Sequence, residues 1–148
     1  EVAMMQARYA DAQNHYAAAL DVSEAIADRL GQAHALLGLG DVARMQARYA
    51  EARGQLGQAL ELACAIGVHT SGLSWCVVIG RRTLDQAEQH RVAGDRGRFR
   101  QAYELAQYLH GWGQRLMVEA PHPETTTEFV TGLQALGLRL SEVGSDME

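Results

Sequence analysis

The sequence predicts an all-α chain built from repeated helical hairpins. Three observations carry that expectation. Only 2 of the 148 residues are proline, and long stretches are Ala, Leu, Gln, Glu and Arg, which favour helix. Apolar residues recur three and four apart, the spacing of one helical face. The hexapeptide Met-Gln-Ala-Arg-Tyr-Ala also occurs twice, at Met5 to Ala10 and at Met45 to Ala50. Identity continues at the same 40-residue offset through Val2/Val42, Ala3/Ala43, Ala12/Ala52, Ala19/Ala59, Leu20/Leu60, Ala25/Ala65 and Ile26/Ile66. Glu1/Asp41, Asp11/Glu51 and Asp21/Glu61 keep their charge. A fixed period between about 20 and 50 residues marks a repeat architecture.

The elements follow in order. Ala12, Tyr16, Ala19, Leu20, Val22 and Ile26 predict a helix over 10–27, and residues 1–7 read as the end of another whose start precedes Glu1. Asp28 to Gly31 marks a break. Leu36, Leu37, Leu39, Val42 and Ala43 place a helix over 33–47, with Tyr49 at the corner that follows. Ala52, Leu56, Ala59, Leu60 and Ala63 place the next over 50–66. Gly67 suits a left-handed C-terminal cap, and Thr70 or Ser71 an N-cap. Leu73, Cys76, Val77, Ile79 and Leu84 predict a longer helix over about 72–92, and Gly94 to Gly97 a turn. Phe99, Ala102, Leu105, Ala106, Leu109 and Leu116 predict a helix over about 98–118. Pro123, with Glu124 and Glu128 after it, opens a last helix whose stripe is Phe129, Val130, Leu133, Leu136 and Leu140. A short acidic tail, 144–148, is expected to be loose. Short connections make neighbouring helices antiparallel.

Composition excludes several classes. A formal net charge of −5 argues against binding nucleic acid by phosphate attraction. All 13 basic residues are Arg, the composition expected of a GC-rich bacterial genome. Arg81, Arg82, Arg91, Arg96, Arg98 and Arg100 lie in one stretch, but Asp85, Glu88 and Asp95 dilute it into a solvated helical face. No apolar run approaches the roughly 20 residues that span a bilayer. Cys64 and Cys76 sit in apolar helical patterns and read as small hydrophobes in a reducing cytoplasm. His15, His34, His69, His90, His110 and His122 form no metal-ligand spacing. Cys64, His69 and Cys76 come nearest, irregularly spaced. No nucleophile elbow or phosphate loop is visible, so neither a catalytic residue nor a cofactor is expected. The chain reads as one domain and as a piece of a longer protein.

Leu36, then Leu39-Gly40, then Tyr49, then Ala52, Leu56 and Ala59 resemble the tetratricopeptide repeat: a large apolar residue, Leu-Gly, a corner aromatic and small packing positions in the second helix. Tyr9, Ala12, Tyr16 and Ala19 match in the first unit. Cys76, Ile79 and Gly80, then Phe99, Ala102 and Ala106 ten residues late, form a degenerate third. The insertion is expected to lengthen the first helix of that unit or the turn after it. The long period is similar to arrays in bacterial signalling ATPases and in regulators of the maltose-activator type. The resemblance implies an all-α, right-handed solenoid of helical hairpins with a C-terminal capping helix. Its parts are a partial repeat (1–30), a full repeat (31–70), an extended degenerate repeat (71–120), the cap (121–143) and the tail. The cap is expected to lay its stripe on Leu105, Leu109 or Leu116.

The family's concave face is lined by the first helix of each hairpin. The resemblance therefore implies peptide binding by His34, Leu37, Asp41, Arg44 and Met45, and by Val77, Arg81 and Asp85. The lysine–asparagine carboxylate clamp of some members is absent; Arg44 and Arg81 are the candidates to hold a carboxylate. The expected function is a protein- or peptide-binding scaffold or sensor in a larger bacterial regulator, without direct contact to nucleic acid or membrane. The alternatives are self-association, including a homodimer, and an enzymatic or metal-dependent segment.

Overall fold

The computed structural model describes residues 2–120, 124 and 127–145. They form six α-helices: α1 (Val2–Ala25), α2 (Arg29–Met45), α3 (Tyr49–Ala65), α4 (His69–Val92), α5 (Arg96–Glu119) and α6 (Val130–Ser145), the last preceded by a 3-10 turn at Thr127–Phe129. No described residue is in a strand. The chain divides into two compact units, Glu1–Ile66 and Gly67–Glu148.

In the first unit the turns set the geometry. α1 ends as Ala27 takes a left-handed φ of 55° and α2 as Ala47 takes 60°. At the second turn the Ala47 amide donates to the Arg44 carbonyl (2.9 Å) and the Arg48 amide to the Ala43 carbonyl (2.8 Å). This pair of bonds satisfies carbonyls that the helix end leaves open. Gly67, with a φ of 81°, takes the same left-handed conformation, as the sequence predicts. Left-handed residues thus recur every 20 positions, at 27, 47 and 67, and α2 and α3 are both 17 residues long. Asp28 caps α2 by accepting from the Gly31 amide (2.9 Å), which moves that helix start four residues ahead of the expected Ala33.

α3 lies on α2. Tyr49, Ala52, Leu56, Ala59, Leu60 and Ala63 are buried, and Leu56 enters a notch at Gly40, where an added Cβ would stand 2.7 Å from Leu56 Cγ. α1 covers another side of α2, with the Tyr16 ring against Gly38 and Ser23 against Gly31. These pairs make α1 and α2 antiparallel.

The first hexapeptide departs from expectation. The offset predicts a turn over Gln6, Ala7 and Arg8 with a corner at Tyr9, yet α1 runs through them without a break. In the second copy, α2 returns along α3 and buries Val42 and Ala43. Ala3 to Arg8 are exposed. The same hexapeptide is helical throughout in its first copy and spans a turn in its second.

The second unit repeats the burial register with longer helices. Leu73, Cys76, Ile79, Gly80 and Thr83 are buried on α4, as are Ala33, Leu36, Leu39, Gly40 and Ala43 forty positions earlier on α2. Phe99, Ala102, Ala106 and Leu109 are buried on α5, fifty positions after Tyr49, Ala52, Leu56 and Ala59. The ten-residue delay lies in the helices: α4 and α5 are each 24 residues, against 17, while the turn at Gly94 (φ 79°) stays as short as the others. Neither Thr70 nor Ser71 caps α4, which starts at His69 after Val68 with no side-chain cap. Asp95 caps α5 by accepting from the Arg98 amide (3.1 Å).

α6 packs on α4 and α5 together, and its core contacts run through glycines. Leu136 faces Gly80, Leu133 faces Gly113, and Gly132 faces Val77. An added Cβ would stand 2.7 Å from Leu136 at Gly80 and 2.6 Å from Leu133 at Gly113. The Tyr103 hydroxyl donates to the Leu140 carbonyl (2.8 Å). The apolar stripe is covered as expected, but its Leu136 notch is on α4 rather than among the α5 leucines. The reason is a substitution between repeats. Leu56, which fills the Gly40 notch, corresponds to the smaller Ala106, and Leu136 supplies the missing bulk at Gly80. The expected opening at Pro123 lies outside the described residues; α6 itself begins at Val130 and takes in Gly144 and Ser145 of the expected tail.

Candidate peptide-binding surface

The predicted surface has two halves, one in each unit, and they fare differently. On α2, Leu30, His34, Leu37, Asp41 and Met45 follow one another at spacings of three and four, so they share a side of the helix. Leu30, His34 and Met45 are exposed, and Leu37 and Asp41 half-buried. α1 and α3 take the other sides of α2, at Gly38 and Gly40.

Arg44 does not stand beside them as a free cation. It is 5% exposed, and its Nε donates to Asp41 Oδ1 at 2.8 Å. The expectation that Arg44 holds a partner's carboxylate is corrected: its charge is met within the same helix. The surface presents Asp41, an acceptor with further lone pairs, flanked by Leu37 and the adaptable Met45.

On α4 the predicted residues are largely spent on α6. Val77 is buried in a cluster with Leu73 and Leu133, against which Met117 and Phe129 pack. It has no surface to offer a peptide, which corrects the second half of the prediction. Asp85 is exposed but paired with Arg139 of α6 (Nη2 to Oδ1, 2.9 Å). Arg81 is exposed. The α4 stripe reads from sequence like the α2 stripe; a helix contributed from more than forty residues away covers it.

Two concavities were not visible in the sequence. In the first unit, α1, α2 and α3 line a cleft of about 510 Å³ whose walls include Glu24, Arg29, Gln32 and Glu61 together with Leu36 and Leu62. In the second, α5 and α6 line a groove of about 700 Å³ with His110, Met117, Val118, Val130, Gly137 and Leu138 among its walls. No Asp, Glu or Arg lines that groove.

Cys76 is buried on α4, and desolvation pushes its thiol up to about 12. It stays protonated at neutral pH and packs as an apolar group. Among the described residues, no helix is long and apolar enough to cross a membrane.

The helical lengths, the Gly40 notch and the left-handed turns describe a repeat of helical hairpins. The tetratricopeptide repeat family profile matches residues 1–65. Over this segment the chain is similar to tetratricopeptide repeat proteins. No curated protein and no solved structure matches the chain. Tetratricopeptide repeats are scaffolds that mediate protein–protein interaction. The α2 stripe lies inside the matched tetratricopeptide segment; the α4 residues and α6 lie beyond it.

Proposed function

We propose that the chain is a non-enzymatic peptide-binding scaffold that uses the exposed side of α2. The observation that supports this most is the row Leu30, His34, Leu37, Asp41 and Met45, a mixed apolar and acidic stripe inside a tetratricopeptide segment. Apolar contact at Leu37 and Met45 supplies affinity, and Asp41 supplies direction by accepting from a donor on the partner. The preferred partner is an extended segment with an aliphatic side chain next to Arg or Lys. The setting we propose is the cytoplasm, within a bacterial regulatory protein. The long 40-residue period supports that context.

The test is selection of peptides from a displayed library on the immobilised chain, followed by calorimetry. Selected peptides carry a cationic residue beside an aliphatic one. Leu37→Glu and Asp41→Asn each weaken them about tenfold, a change of about 1.4 kcal/mol. If those substitutions leave affinity unchanged while Arg29→Ala and Glu61→Ala reduce it, the three-helix cleft is the binding site instead.

A further inference from the structure

The cleft between α1, α2 and α3 is lined entirely by residues of the first unit. Its volume of about 510 Å³ falls in the range that holds small molecules. Leu20, Leu36 and Leu62 supply its apolar wall, Leu36 buried and the other two half-buried. Glu24, Arg29 and Glu61 supply its charge, and all three are exposed.

Stability does not account for these charges. Among the described residues, neither carboxylate forms an ion pair, and neither does the guanidinium. Other charges of the same unit do pair, Arg44 with Asp41 and Arg48 with Glu51. Each of the three also stands at the helix end that disfavours it. Glu24 is in the last turn of α1 and Glu61 one turn from the end of α3, where the dipole is negative and favours a cation. Arg29 is the first residue of α2, where the dipole is positive and favours an anion. Local rules broken together in one place mark a functional site. Side chains and dipoles reinforce each other here. The cleft is negative where α1 and α3 end and positive where α2 starts.

This pattern specifies the chemistry of a ligand. Two carboxylates match two cationic groups. One guanidinium matches one carboxylate, which it can hold through two parallel hydrogen bonds. The leucines match a short methylene chain. A free α-amino acid with a cationic side chain carries all of these at once. The same residue inside a peptide has lost its α-ammonium and its carboxylate to peptide bonds.

We propose that the three-helix cleft binds a free basic amino acid. Its two cationic groups lie at Glu24 and Glu61, its carboxylate at Arg29, and its methylenes against Leu20, Leu36 and Leu62. The site shares no residue with the α2 stripe, so either reading can fail without the other.

Methyl NMR of the 148-residue chain, titrated with L-lysine, tests it. The Leu20, Leu36 and Leu62 methyls shift and saturate at millimolar lysine, while Leu37 and Met45 stay unchanged. Norleucine lacks the side-chain ammonium of lysine, and cadaverine lacks its carboxylate. Each binds about three- to fivefold more weakly than lysine, the loss expected from one solvent-exposed ion pair. Arg29→Gln removes the advantage of lysine over cadaverine, and Glu61→Gln weakens both. Circular dichroism checks that these variants keep their helices, and Glu24→Gln replaces Glu61→Gln if it does not. No shift of the three leucines up to about 10 mM lysine overturns the proposal. So do equal affinities for lysine, norleucine and cadaverine, or lysine binding that both substitutions leave unchanged.

Discussion

Ala47 and Arg44 show how much a single position decides. Ala47 is held at a φ of 60°, a conformation that costs an L-residue about 1–2 kcal/mol. Glycine removes that strain but loses about 0.5–1 kcal/mol to chain entropy. Ala47→Gly is therefore expected to raise stability by up to about 1 kcal/mol, and Gly94→Ala to lower it by about as much. Urea melts with unchanged slope check both. Arg44 is buried and bonded to Asp41, so Arg44→Ala destabilises the first unit by about 1.5–3 kcal/mol in addition to any effect on a partner. Cys76 adds a pH effect. Its thiol is pushed from 9.0 to about 12 by burial, so the unfolded chain releases that proton first. Stability is unaffected below pH 9 and falls as pH rises from there towards 12. Cys76→Ala flattens that alkaline loss while lowering stability at neutral pH, which melts at several pH values would reveal.

At the scale of the element, α6 is part of the second unit's core. Leu136 is fully buried in the Gly80 notch, so Leu136→Ala should cost about 2–5 kcal/mol. Leu138, two residues on, is 67% exposed, and Leu138→Ala should change stability by less than about 0.5 kcal/mol. Thermal melts of the two variants settle whether α6 is seated as described. Equal effects would mean that its apolar stripe is not what holds it. The Gly40 notch makes the matching case in the first unit. Gly40→Ala sets a methyl against Leu56 Cγ and close to its backbone nitrogen (3.2 Å), an overpacking expected to cost about 1–3 kcal/mol.

Across the whole molecule, what could be read from the sequence was what local chemistry fixes. The 40-residue period gave the hairpins, Gly67 gave its turn, and the spacing of Leu36, Leu39-Gly40, Ala52 and Ala59 gave the packing faces. What could not be read depended on contacts distant in sequence. Met5 to Ala10 and Met45 to Ala50 are identical, yet the first lies within α1 and the second spans the turn from α2 to α3. Val77 and Leu37 occupy the same repeat position, yet Val77 is buried under α6 while Leu37 is only half-buried. Arg44 and Arg81 both read as surface cations, but Asp41 claims the first. The exposed side of α2, within the matched segment, is the proposed binding surface. Methyl NMR of the chain, titrated with a display-selected peptide, tests this most directly. Shifts are expected at the Leu30, Leu37 and Met45 methyls, while Leu20 and Leu62 in the three-helix cleft stay unchanged. Shifts confined to Leu20 and Leu62, or to Val118 and Leu138 on the second unit, would contradict it.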